Sequence, residues 1–202
     1  MAFLGLAVPA QTARILSEVD YGGVGTPEKG FHHITMLYLG DEVPVERFGQ
    51  ALPVIFDVTS KTRPFTVATN RVTTFPAKRG TVPVICRVTS DPLHELREKL
   101  TAAFNAAELH YDNKFPDFKP HVTLAYAPED SIPEEGLDKE FPSVEWGAHE
   151  LVLWGGDSGD GRLVVTFPFS LGQKAASMGR RTLNRAFVKV AASFRPPLPH
   201  TP

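Results

Sequence analysis

Two short segments of this sequence carry the same chemically competent side chains in the same order. Phe31-His32-His33-Ile34-Thr35-Met36-Leu37-Tyr38-Leu39-Gly40 and Lys119-Pro120-His121-Val122-Thr123-Leu124-Ala125-Tyr126-Ala127-Pro128 align on His33 and His121. They share the histidine, a β-branched apolar residue, a threonine, two apolar positions and a tyrosine, and lie 88 residues apart. One His-x-Thr alone is a weak signal, because a lone strand histidine is usually structural. Two copies inside one shared frame point to chemistry.

Strand geometry says which chemistry. Residues i and i+2 share a face, about 6.5 Å apart along the strand, so His33 is presented with Thr35, and His121 with Thr123. Ile34, Met36 and Tyr38 are expected on the opposite, core-facing side, as are Val122, Leu124 and Tyr126. Two such strands facing across a groove would gather two imidazoles and two hydroxyls around one point. Imidazole, with an unperturbed pKa of about 6.5, serves as either acid or base near neutrality. One can take a proton from the attacking oxygen at a phosphodiester while the other protonates the departing oxygen. The threonine hydroxyls can donate to the non-bridging oxygens, where negative charge concentrates. The scheme calls for no metal and no cofactor.

The elements that must position these residues follow from periodicity. Phe3 to Val8 reads as a buried strand stopped by Pro9, followed by a helix over Ala10 to Val19. Tyr21 to Pro27 is glycine-rich and reads as a loop, a flap beside the groove or a plain linker. Phe31 to Leu39 is a strand. Val45 to Phe56 is helical with an expected break at Pro53. Pro64 to Phe75 and Val82 to Val88 are strands joined by a turn at Ala77-Lys78-Arg79-Gly80. Asp91-Pro92 is expected to cap and open a helix with Leu93, Leu96, Leu100 and Phe104 on one face. Val122 to Tyr126, His149 to Trp154 and Leu163 to Phe169 complete the strands, the last two joined by a turn over Gly156 to Gly161. Strands joined by short turns cannot be parallel, so the fold class is α+β with mixed or antiparallel sheets.

Composition bounds the rest. The chain has 202 residues, 42% of them apolar and 22% charged, ordinary values for a globular core. A single cysteine, Cys86, excludes an internal disulfide framework and any multi-cysteine zinc or iron–sulfur site. No apolar run approaches the roughly 18–20 residues of a membrane span. The first ten residues lack the basic start of a secretory signal. A cytoplasmic protein is the expectation. The net charge of −2 hides a split, because the six basic residues after Ser170 (Lys174, Arg180, Arg181, Arg185, Lys189, Arg195) face no acids. Removing them from the total of 21 leaves 15 basic against 23 acidic residues, a charge of −8 before the tail. Within that tail Leu183, Ala186, Phe187, Val190 and Phe194 form the apolar side of a basic amphipathic helix. It can pack back on the acidic domain or contact RNA, a membrane surface or another module. Two parts are therefore expected, a domain over 1–171 and a basic helical tail over 172–202.

Other candidates are weaker. His32 should point away from the catalytic face. His94, His110, His149 and His200 have no partner at metal-ligand spacing, and a zinc site on His33, His121 and a carboxylate is the lesser alternative. Asp157 to Gly161 lacks the glutamate that a calcium loop needs further along. Tyr111, Phe115, Phe118, Phe75 and Trp154 fall near the expected groove, but each reads better as core than as a platform for a base. Lys78, Arg79 and Lys119 read as solvent-facing.

The paired motifs resemble the two H-x-[TS] signatures of the 2H phosphoesterase superfamily, particularly its LigT-like cyclic phosphodiesterase branch. The resemblance includes Thr73-Thr74-Phe75-Pro76, Val82-Pro83-Val84-Ile85 and Phe118-Lys119-Pro120, and spans roughly residues 2 to 170. It implies a bilobal α+β fold, two pseudo-symmetric lobes around a central groove. It also implies His33 and His121 as the acid–base pair and Thr35 and Thr123 as phosphate ligands, without metal. The substrates it implies are a cyclic nucleotide, a cyclic oligonucleotide or an RNA 2′,3′-cyclic phosphate. A viral or phage member degrading host defence signals, in the host cytoplasm, is one expectation within that range. Processing or ligation of RNA 2′,3′-cyclic ends is an alternative, as is a non-catalytic nucleotide-binding sponge.

Overall fold

Apolar strands returning on one another through helices build this molecule twice over. The computed structural model describes residues 1–19, 25–27, 32–41, 43–113, 117–133, 137–140, 143–155 and 163–170. The expected glycine loop (apart from Gly25 to Pro27), the turn over Gly156 to Gly161, Phe115, His200 and the basic tail lie outside those residues.

The strands are β1 (Ala2–Ala7), β2 (Thr26–Pro27), β3 (His33–Gly40), β4 (Phe65–Thr74), β5 (Thr81–Thr89), β6 (His121–Pro128), β7 (Asp138–Glu140), β8 (Glu145–Ala148), β9 (Glu150–Gly155) and β10 (Leu163–Pro168). The helices are α1 (Ala10–Ser17), α2 (Val45–Ser60) and α3 (Asp91–Ala106). One sheet runs β10-β9-β1-β3 and the other β2-β6-β5-β4-β7, with β8 also pairing with β4. Every pairing is antiparallel. The α+β bilobal reading therefore stands. The short strands β2, β7 and β8 are additions that no hydrophobic period announced.

The ten-residue repeat extends to a whole β-α-β unit. β1–α1–β3 and β5–α3–β6 each consist of an apolar strand, a helix and an antiparallel return strand that begins with histidine. The entrances are bonded alike: Val8 N–H donates to the His32 carbonyl and Val88 N–H to the Pro120 carbonyl, both at 3.0 Å. One irregularity in each pairing coincides. The β1–β3 register slips between Leu4 and Gly5, so that Leu4 faces Leu37 and Gly5 faces Thr35, leaving Met36 extra. The β5–β6 register slips between Val84 and Ile85, so that Val84 faces Ala125 and Ile85 faces Thr123, leaving Leu124 extra. Each His-x-Thr is thus followed at once by a β-bulge, a feature that re-aims side chains.

The helices seal the main core. Phe48, Leu52 and Ile55 of α2 and Leu93, Leu96, Leu100 and Phe104 of α3 are buried together with β-strand residues such as Leu4, Ile34, Val84 and Val122. Each such side chain contributes about 1.5–3 kcal/mol of transfer free energy. α2 runs unbroken through Pro53, against expectation. Pro53 is exposed while Leu52 is buried, so solvent can satisfy the carbonyl that lost its donor, and packing on the other face keeps the helix continuous. Ser90 rather than Asp91 occupies the cap position of α3, with Pro92 in the first turn. The Ser90 hydroxyl instead donates to the Thr66 carbonyl at 3.0 Å. The expected β4–β5 turn is a tight two-residue hairpin in which Arg79 and Gly80 take φ of 54° and 74°. Lys78 and Thr81 close it through paired backbone hydrogen bonds of 2.8 and 3.2 Å, the connection that matches strand twist. Among the described residues no helix is long and apolar enough to cross a membrane.

Candidate active site

The two histidine strands meet where the sheets meet, with β3 and β6 lying against each other. Along β3 the burial alternates through His33, Ile34, Thr35 and Met36, then slips so that Met36 and Leu37 are both inside. The β6 pattern slips at the same place, with Leu124 and Ala125 both inside. His33 and Thr35 therefore share the open face of one lobe, and His121 and Thr123 that of the other. All four are half-buried.

The slip overturns one expectation. Tyr38 and Tyr126 do not enter the core. The bulge adds one residue to the count, which turns both tyrosines onto the same face as the histidine and threonine preceding them. Tyr126 is 45% exposed. Tyr38 donates to the Asp41 carboxylate at 2.5 Å, and burial, then that carboxylate, pushes its pKa up to about 12.

His33 sits on an aromatic floor. Its ring centroid lies 4.7 Å from that of Phe3 and 5.9 Å from that of Trp154. Phe3 and Trp154 stack at 5.0 Å. With Val152 they form a small second apolar cluster, against which Tyr38 packs. Gly5 makes this possible: a Cβ there would fall 2.6 Å from the Ile34 carbonyl oxygen and 3.1 Å from the Trp154 ring. Phe3 and Gly5 are neighbours of the candidate site that sequence reasoning missed, since a Phe in an apolar strand carries no local mark of lying against a histidine. Trp154, read as core, is 7% exposed and forms the far wall of this cluster.

His121 is held from two directions. Its Nδ1 lies 2.7 Å from the Lys119 carbonyl oxygen. A carbonyl can only accept, so Nδ1 carries the hydrogen and the Nε2 of the neutral ring bears the lone pair. Phe75 meets the imidazole edge-on, with centroids 4.6 Å apart and planes at 82°. Burial pulls the His121 pKa below 6.5, the Lys119 carbonyl partly opposes that, and the nearby His33 adds to the lowering. The charge of His33 on β3 thus reaches His121 on β6. The structure also makes Phe75 a wall of the site.

Arg97 joins the lobes. From α3 it donates to the carbonyl of Met36, the extra residue of the β3 bulge, whose neighbour is Thr35. The guanidinium lies over Tyr111 at 5.8 Å and Phe118 at 5.7 Å, in the segment that leads into His121, and burial lowers its pKa. Arg97 is a positioning residue in this arrangement, tying the strand of one histidine to the approach of the other. In an amphipathic helix nothing local distinguishes it from an ordinary solvent-facing charge.

The remaining candidates fall elsewhere. His32 is 8% exposed and its Nε2 lies 3.3 Å from the Ser17 hydroxyl, a structural position as expected. His94 packs edge-on against Phe118 at 5.3 Å. It lines an open cavity of about 530 Å³ beside Arg97, Tyr111 and Lys119, which contains neither His33 nor His121. Cys86 is fully buried and burial pushes its thiol up to about 11, so it is inert as a nucleophile. Among the described residues no three His, Cys, Asp or Glu side chains gather as metal ligands.

The model of the family described as the 2′-5′ RNA ligase superfamily matches residues 9–160. No curated protein sequence matches the chain. Among solved structures, TT0787 of Thermus thermophilus is 21% identical and superposes with a TM-score of 0.64, over 83% of this chain and 97% of that one. LigT of E. coli, solved with 3′-AMP, is 18% identical with a TM-score of 0.58, over 84% and 94% of the two chains. Usb1 of Kluyveromyces marxianus, solved with uridine monophosphate, is 14% identical with a TM-score of 0.51, over 83% and 97%. At these identities the likeness is one of fold.

Proposed function

Because the chain belongs to the 2′-5′ RNA ligase superfamily of 2H phosphoesterases, we propose that it is a metal-independent phosphodiesterase that opens cyclic phosphates on nucleotides or oligonucleotides. The observation that carries this reading is the pair of pseudo-symmetric His-x-Thr strands, β3 and β6, which lie against each other with each histidine on the same face as its threonine. Two structures of similar fold hold nucleotides, 3′-AMP in LigT and uridine monophosphate in Usb1, which supports nucleotide substrates here.

His121 takes the part of general base and His33 that of general acid. With Nδ1 committed to the Lys119 carbonyl and its pKa lowered by burial, His121 is neutral at pH 7 and offers Nε2 to a water. The water oxygen bonds to phosphorus while its proton passes to Nε2. The bond from phosphorus to the ring oxygen of the cyclic phosphate breaks, and His33 delivers a proton to that oxygen. The product is a phosphomonoester. Thr35 and Thr123 donate to the non-bridging oxygens as their charge grows.

The test is turnover in excess EDTA of adenosine 2′,3′-cyclic phosphate, cyclic di- and trinucleotides, and RNA bearing a 2′,3′-cyclic end. Hydrolysis of at least one is expected. Activity that vanishes on chelation would overturn the acid–base scheme. Joining of RNA ends without hydrolysis would assign ligation, and recovery of every ligand unaltered would assign a binding role.

The lowered His121 pKa sets the pH dependence. The base must be unprotonated, so the acidic decline in activity sets in at lower pH than an ordinary imidazole would give. The acidic limb of kcat/KM should therefore show an apparent pKa under 6.5, belonging to the coupled pair rather than to one ring. The groups facing His121 are His33 on β3, Phe75 at the end of β4 and Arg87 on β5. A limb at or above 6.5 would reverse the assignment of base and acid.

A further inference from the structure

The two β-α-β units agree where the chemistry is symmetric, so their differences mark where the substrate is not. Ala7 faces His33 across β1–β3, and Arg87 faces His121 across β5–β6. The two positions are equivalent: Val8 and Val88, the next residues, make the same backbone bond to the residue before each histidine. One lobe thus presents a methyl group beside its histidine and the other a guanidinium.

Arg87 lies on the open face. Cys86 and Val88 on either side are buried at 0% and 4% exposure, which turns the intervening side chain outward, and Arg87 is exposed. Residues directly opposite on antiparallel strands have Cβ atoms about 4.5–5.5 Å apart on the same face. Arg87 therefore stands beside His121. The row continues to Arg71, which faces Arg87 across β4–β5 and is neutralised by Asp138 at 2.9 Å. Among the described residues Arg87 makes no ion pair. A planar fork of donors beside the base suits a phosphate, which it can grip in bidentate fashion. The scissile phosphate already has two imidazoles and two hydroxyls.

We infer that Arg87 binds a second phosphate of the substrate, so that the site prefers a 2′,3′-cyclic phosphate on a 5′-phosphorylated nucleoside or at the end of an oligonucleotide over a bare nucleoside cyclic phosphate. The inference rests on the phosphodiesterase reading above for its substrate and on strand register for its residue. The unequal lobes also orient the nucleotide, its flanking phosphate beside His121 and its uncharged part toward the lobe carrying Phe3 and Trp154.

Two measurements test it. The first compares kcat/KM for adenosine 2′,3′-cyclic phosphate with and without a 5′-phosphate. Wild type should favour the phosphorylated form by about tenfold to a hundredfold, the worth of a hydrogen-bonded charge pair. The preference should shrink with added salt, fall to near unity in Arg87→Ala and survive in part in Arg87→Lys. The second compares binding of adenosine 3′,5′-bisphosphate and adenosine 3′-monophosphate by calorimetry, with the same ratio expected and no turnover required. Equal binding of the two by wild type overturns the inference, as does an undiminished preference in Arg87→Ala. A binding preference that depends on Arg87 in a protein that hydrolyses neither substrate would overturn the phosphodiesterase reading and leave this inference standing.

Discussion

His121→Ala and His33→Ala should each slow hydrolysis of the accepted cyclic phosphate by about 10² to 10⁴, the usual worth of one positioned proton-transfer group. The double variant should lose far less than the product of the two, because base and acid act in one step and neither works well without the other. The two alanines differ structurally. Removing the His33 ring empties the space beside Phe3 and Trp154, at 4.7 and 5.9 Å, whereas removing His121 frees the Lys119 carbonyl and the edge contact with Phe75. Glutamine at either position fills most of that space without a group titrating near neutrality, so His33→Gln and His121→Gln separate chemistry from packing. Initial rates in EDTA, with circular dichroism on each variant, provide the measurement. Retention of wild-type kcat by either glutamine variant would remove that histidine from the mechanism.

Thr35→Val and Thr123→Val should each cost about 10² to 10³ in kcat, comparable to losing one preorganised donor to a developing oxyanion. Valine keeps the branched shape, and both residues are half-buried on strand positions that favour it, so the fold should persist. The loss should fall on kcat more than on KM, because the non-bridging oxygens gain charge on the way to the transition state. Serine, which keeps the hydroxyl, should restore most of the rate. The two threonines occupy equivalent places, opposite Gly5 and Ile85 one step before the paired register slips, so neither substitution should be much milder than the other. A valine variant with unchanged kcat would take that hydroxyl off the phosphate.

Much of the fold was legible because local period reports burial directly. Leu93, Leu96, Leu100 and Phe104 recur at helical spacing and are all buried on α3. The apolar run at the start of β1 is almost wholly inside. Asp91 and Pro53 were read less well because caps and breaks depend on what surrounds them. The Ser90 hydroxyl is drawn to Thr66 of a neighbouring strand, and Pro53 lies on the exposed side of a helix anchored by its other face. β7 is three residues long, all of them polar and exposed, leaving no hydrophobic pattern to detect.

By itself the sequence determined that two His-x-Thr units exist, that strand period puts each histidine on one face with its threonine, and that one cysteine could build no disulfide or multi-thiolate centre. These are properties of composition and of neighbours in the chain, carried by backbone geometry alone. Only the tertiary structure decided that a bulge after each threonine turns Tyr38 and Tyr126 outward, and that Arg97 reaches from α3 to Met36. It also decided that burial lowers the His121 pKa while the Lys119 carbonyl holds the hydrogen on Nδ1, and that Arg87 faces His121 across β5–β6. Each of these depends on register or burial between segments far apart in sequence. A one-residue slip in pairing reverses every side chain beyond it, and a pKa follows from what closes over the group, which no local pattern records.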